Sequence, residues 1–128
     1  MLNKIFINNI CEKANQIFDG QKFNLKLIQC ILEGKSLIER WDLEAHTILL
    51  NSNHKEILNS ELSNLGKPLA KSLIDSNVNN IWGIQVLYTE EMPLNIGLLF
   101  SSNYNPYEKY DHPYDSENYL RHFSLVKF

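Results

Sequence analysis

Asp42, Glu44 and His46 alternate with Trp41, Leu43 and Ala45 along one short stretch of this chain. In an extended segment that spacing turns the three polar side chains to the same side. A carboxylate beside an imidazole is the raw material of general acid–base chemistry, because His titrates near neutrality and a neighbouring acid orients it or holds its charge. Glu44 and His46 are therefore the candidate catalytic residues, with Glu39 a further carboxylate nearby. The same positions also describe the solvated side of a half-buried strand, and residue types alone do not separate the two readings.

Other reactive residue types point away from metal and redox chemistry. His112 and His122 have no recognisable metal-ligand spacing, and Cys11 and Cys30 lack the close spacing of a zinc or redox pair. Both cysteines read as small buried hydrophobes in a reducing, cytoplasmic setting, and no cofactor is implied. Twelve Lys and Arg against fifteen Asp and Glu leave a formal charge of -3 with no long basic run, so nucleic acid is not an expected partner. The run Leu2 to Ile10 is interrupted by Lys4, Asn8 and Asn9, which is too short and too polar to insert in a membrane. No small-residue cleavage site follows it.

The elements that must position these residues follow from periodicity. The length, 128 residues, suits a single domain spanning 1–128. Leu2, Phe6, Ile10, Ala14, Ile17 and Phe18 recur at helical spacing, and Asp19-Gly20 is a natural stop. Phe23, Leu25 and Leu27 alternate and run on into Ile31 and Leu32; Glu33-Gly34-Lys35 then reads as the turn of a hairpin whose return strand extends from Leu37 towards Leu50. Ile57, Leu58, Leu62 and Leu65 fit a short amphipathic helix ended by Gly66, and Pro68 opens another carrying Leu69, Ala70, Leu73 and Ile74. Strands are predicted at Trp82 to Thr89 and Leu94 to Ser101, joined at Met92-Pro93, with a last strand from Leu120 to Phe128. Residues 102–118 read as a loop, and Tyr104, Tyr107, Tyr110 and Tyr114 within it as packing or as the contact for a protein partner. The sum is an α+β fold, an antiparallel β-sheet with helices packed on one face.

Leu65-Gly66-Lys67-Pro68-Leu69, then Trp82-Gly83, then Met92-Pro93-Leu94 leading into Ile96 to Phe100 is an order that resembles the C-terminal half of the chorismate lyase family and its ligand-binding relatives. The likeness covers roughly residues 53 to 107. It implies a chorismate lyase-like fold and, for an active member, elimination of pyruvate from chorismate to leave 4-hydroxybenzoate without metal or organic cofactor. Lys26 falls where the family presents a substrate-binding arginine, and Arg40 lies near a second. Leu69 and Leu98 complete the implied substrate-contact positions. Where the family carries a catalytic carboxylate in its last core strand, this chain has Leu98, which can neither hydrogen-bond nor move a proton. Two expectations follow: a divergent lyase, or a noncatalytic module on the same scaffold that holds a small aromatic or acidic molecule or a protein partner.

Overall fold

A computed structural model describes residues 4–41, 43–64, 77–101 and 123–128. Along them run α1 (Lys4–Lys13), β1 (Asn15–Asp19), a single 3-10 turn (Gly20–Phe23), α2 (Leu27–Arg40), β2 (Ala45–Asn51), α3 (His54–Ser63), β3 (Asn80–Ile81), β4 (Ile84–Thr89), β5 (Ile96–Ser101) and β6 (Phe123–Lys127). The second helix expected from Pro68 onward, with Leu69, and the tyrosine-rich segment lie outside the described residues.

The first helix is shorter than its periodicity suggests. Ala14 N–H closes the last turn on Ile10 O at 2.8 Å, and the chain then becomes β1, paired in parallel with β6 from Asn15↔Ser124 to Asp19↔Lys127. Asn15 is a poor helix former and Ile17 and Phe18 are good strand residues, so the ladder overrides a helical spacing that continued by coincidence.

The hairpin expected over residues 23–50 is instead α2 followed by β2. Leu27, Ile28, Cys30, Ile31, Gly34 and Ile38 are buried, a stripe at helical spacing on one side of α2. Gly34 makes no turn. A Cβ on it would stand 2.6 Å from Val126 Cγ2 and 2.9 Å from Leu99 Cδ1, so glycine lets the helix axis approach the sheet. The start of α2 is capped from a distance: the Glu61 carboxylate of α3 accepts from Leu27 N–H at 3.2 Å and Ile28 N–H at 2.8 Å, while Lys26 N–H donates to Gln29 Oε1 at 2.9 Å. Three of the amides that every helix start leaves open are thereby satisfied.

The described strands form one sheet in the order β1-β6-β5-β2-β4-β3. It is mixed, which corrects the antiparallel expectation: β1 with β6 and β2 with β4 are parallel, while β2–β5, β5–β6 and β3–β4 are antiparallel. The β2–β4 pair needs a crossover, and the chain carrying α3 supplies it. In consequence β4 and β5 are not hairpin neighbours, since β2 lies between them and the Met92-Pro93 connection must pass its end.

Helices cover both faces of the sheet, correcting the one-face expectation. On one, α2 and α3 pack Ile28, Ile31, Ile38 and Leu58 against Ile48, Leu50, Ile84, Val86, Leu99 and Val126. On the other, α1 packs Phe6, Ile7 and Ile10 against Leu49, Leu98, Phe100, Phe123 and Leu125. Neighbouring residues such as Leu49 and Leu50, or Leu98 and Leu99, thus serve opposite cores, the period-two alternation of a sheet buried on both sides.

Candidate functional site

Three of the implied substrate contacts, Lys26, Arg40 and Leu98, do not converge. Lys26 and Arg40 are exposed and stand at the two ends of α2, as its N-cap and its last residue, which at helical rise separates them by about 20 Å. Leu98 is fully buried (0% exposed) and belongs to the α1 face, so the thickness of the sheet stands between it and α2. Two cations at opposite ends of one helix and a leucine behind the sheet cannot close around one small dianion.

Glu44 is exposed in the link that leads into β2. His46 is half-buried, its Nδ1 lies 2.8 Å from Thr47 Oγ1, and its ring stands edge-on to Phe100 with centroids 6.4 Å apart. Register slips between Ala45 and Thr47 against β5, and this irregularity brings His46 to the side of Phe100. The imidazole is held by a hydroxyl and an aromatic edge, an arrangement that fixes its orientation.

What the fold does gather lies at the end of the sheet where β2 and β4 begin. Arg40 and Trp41 close α2 there, Glu44 and His46 enter β2, and the Trp82-Gly83 turn enters β4. Ser101 pairs with Ala45 and Phe123 with Phe100, so the two ends of segment 102–122 also attach here. Trp41 and Trp82 are 53% and 50% exposed. Trp82 sits at φ 51° and Gly83 at φ 85°, the two central positions of a tight turn between the paired Ile81 and Ile84. Gly83 N–H donates to Asn80 Oδ1 at 3.2 Å. Turns of this geometry favour Asn or Asp before Gly, and a bulky residue at positive φ is an outlier.

The opposite end holds a residue that sequence reasoning missed. His54, 4% exposed, opens α3 and places Nε2 2.9 Å from Leu94 O, with its ring perpendicular to Phe128 at 5.3 Å. Burial lowers its pKa, opposed in part by the Leu94 carbonyl and by Glu61. Asn51 works beside it, donating from Nδ2 to Met92 O at 2.6 Å and accepting from Asn53 N–H at 2.9 Å. The usable signal in the sequence is two side-chain donors, Asn51 and His54, three residues apart at the start of a helix.

Three further titratable groups, Cys11, Cys30 and Tyr88, are shifted by burial. Burial raises the thiol pKa of Cys11 and, with Glu61 adding to the effect, that of Cys30, which makes both poor nucleophiles. Burial also pushes the Tyr88 phenol up to about 12, and its hydroxyl donates to Val78 O. Among the described residues no group of three metal-ligating side chains gathers, and no helix is long and apolar enough to cross a membrane. No family model, curated protein or solved structure matches this chain.

Proposed function

We propose that this chain is a noncatalytic protein-interaction module that binds its partner through the end of the sheet where β2 and β4 begin. Trp82 carries the reading. A half-exposed indole at φ 51° costs folding free energy that Asn or Gly would not, and strained residues of this kind cluster at binding and switch sites. Aromatic side chains are also the residues most often found to anchor protein contacts. Trp41 stands at the same end, and Arg40, Glu44 and His46 supply a polar surround. The dispersal of Lys26, Arg40 and Leu98 weighs against the lyase alternative, and the dense packing on both faces of the sheet weighs against an enclosed small-molecule site among the described residues.

Two experiments test this. Trp82→Asn is expected to raise the stability of the protein by about 1 kcal/mol in urea unfolding, while abolishing retention of the partner that the unmodified protein captures and that cross-links beside Trp41. A variant that is destabilised and still binds sinks the proposal. Incubation of concentrated protein with chorismate is expected to release neither pyruvate nor 4-hydroxybenzoate. Turnover would restore the lyase reading, and a rise in Tm with chorismate left unchanged would favour a small-molecule binding module.

A further inference from the structure

We propose that His54 is a proton-sensitive latch on the β4–β5 connection, so that protonation of its imidazole frees Leu94 and loosens the segment that passes the end of β2.

The connection, residues 90–95, pairs with no strand among the described residues and is held by individual contacts from other elements. Asn51 Nδ2 holds the carbonyl of Met92 at 2.6 Å, His54 Nε2 that of Leu94 at 2.9 Å, and Phe128 N–H that of Asn95 at 2.8 Å. Only one of these pins can change charge near neutral pH.

The tautomer follows from the partners. A carbonyl oxygen only accepts, so Nε2 carries the proton, and in the neutral ring Nδ1 is a bare acceptor. Nδ1 is buried and has no hydrogen-bond partner. A second proton there creates an unsatisfied donor and a positive charge in an apolar surround, each costly to keep out of water. Turning the ring toward solvent relieves both and gives up Leu94 O. It also removes the ring from Phe128, whose Cζ lies so close over Gly97 that a Cβ there would meet it at 2.7 Å. Imidazole, connection and the end of β6 therefore move as one packed unit.

The charged groups of the surrounding elements do not cancel this. On α3 itself Glu61 favours the protonated ring, but burial is the larger influence and wins. Lys55 and Glu56, the next residues of α3, are exposed, as are Glu90 and Glu91 of the connection; β6 brings Lys127 and β4 brings Tyr88, neutral below about pH 12. The direction follows from linkage: the folded ring binds its proton less readily than the unfolded chain, so the latch is fully set above the ordinary His pKa of about 6.5 and weakens as pH falls from there toward the folded value.

Ring NMR of 13C-labelled histidine, with His54→Gln identifying the resonance, is expected to show His54 titrating below free histidine. Amide exchange corrected for intrinsic rates is expected to accelerate at Met92 and Phe128 by up to about tenfold for each pKa unit of depression as pH falls through that interval, while β2 stays protected. His54→Gln, which keeps a donor for Leu94 but cannot titrate, is expected to hold protection constant. The latch is overturned if His54 titrates at or above the free value, if the Gln variant loosens over the same interval, or if exchange rises equally throughout the sheet. Should the variant fail to fold, the titration and the exchange pattern of the unmodified protein decide alone.

Discussion

Leu98→Glu, which installs the carboxylate that a lyase of the resembled family would need, is expected to destabilise the protein by about 4 kcal/mol and to release no pyruvate from chorismate. Leu98 is fully buried among Leu49, Leu125 and the α1 residues Phe6, Ile7 and Ile10, in register with Leu49 on one side and Leu125 on the other. None of these side chains can accept or donate a hydrogen bond. A carboxyl there stays protonated at neutral pH because burial disfavours its charged form, and it still loses its bonds to water. Against a total stability of about 5–15 kcal/mol, the loss is large enough to read as a shifted urea midpoint. If the α1 face instead concealed a polar pocket, the substitution would be nearly neutral, and pyruvate formation by the variant would overturn the noncatalytic reading at once.

The legible parts of this fold are those whose period has one interpretation. The strands β4, β5 and β6 alternate or run apolar between turn residues, and α3 shows through Ile57, Leu58 and Leu62; all four lie close to where those patterns put them. Leu25, Leu27, Ile28 and Ile31 satisfy a strand and a helix alike, and what decided for α2 is a contact the sequence cannot display, the approach of Gly34 to Leu99 and Val126. Strand order was hidden for a related reason. A Pro93 turn between two strands looks like a hairpin from within, and only the third strand, β2, inserted by its crossover, shows otherwise. The arrangement of the candidate site was hidden in the same way. Lys26 and Arg40 satisfied a motif one at a time, whereas carboxylate recognition is a property of their separation, which α2 makes too long. His54 escaped notice because its neighbours Leu94 and Phe128 are 40 and more residues away in the chain.

Glu61→Ala is expected to cost about 2–3 kcal/mol, and Glu61→Gln about half of that. Glu61 lies eight residues into α3, and its two oxygens accept separately from Leu27 N–H at 3.2 Å and Ile28 N–H at 2.8 Å. No residue beside the helix start supplies that cap: Lys26 cannot accept a hydrogen bond, and the Gln29 side chain is taken by Lys26 N–H. The carboxylate also sits at the positive end of the helix dipole, where a negative charge is favoured. Alanine removes both acceptors and leaves two part-buried amides to find water beside the buried Leu27 and Ile28 side chains. Glutamine keeps one neutral acceptor, so it preserves one bond and loses the charge. Because the bonds span 33 and 34 positions of sequence, they tie α3 to α2 as well as capping it, and the loss therefore belongs to the folded state as a whole. The check is a urea series in which both variants lower the midpoint in that order with unchanged slope. Equal midpoints for alanine and the unmodified protein would mean that water caps α2 as well as Glu61 does, and that the α2–α3 pair is held by Ile28, Ile31 and Leu58 alone.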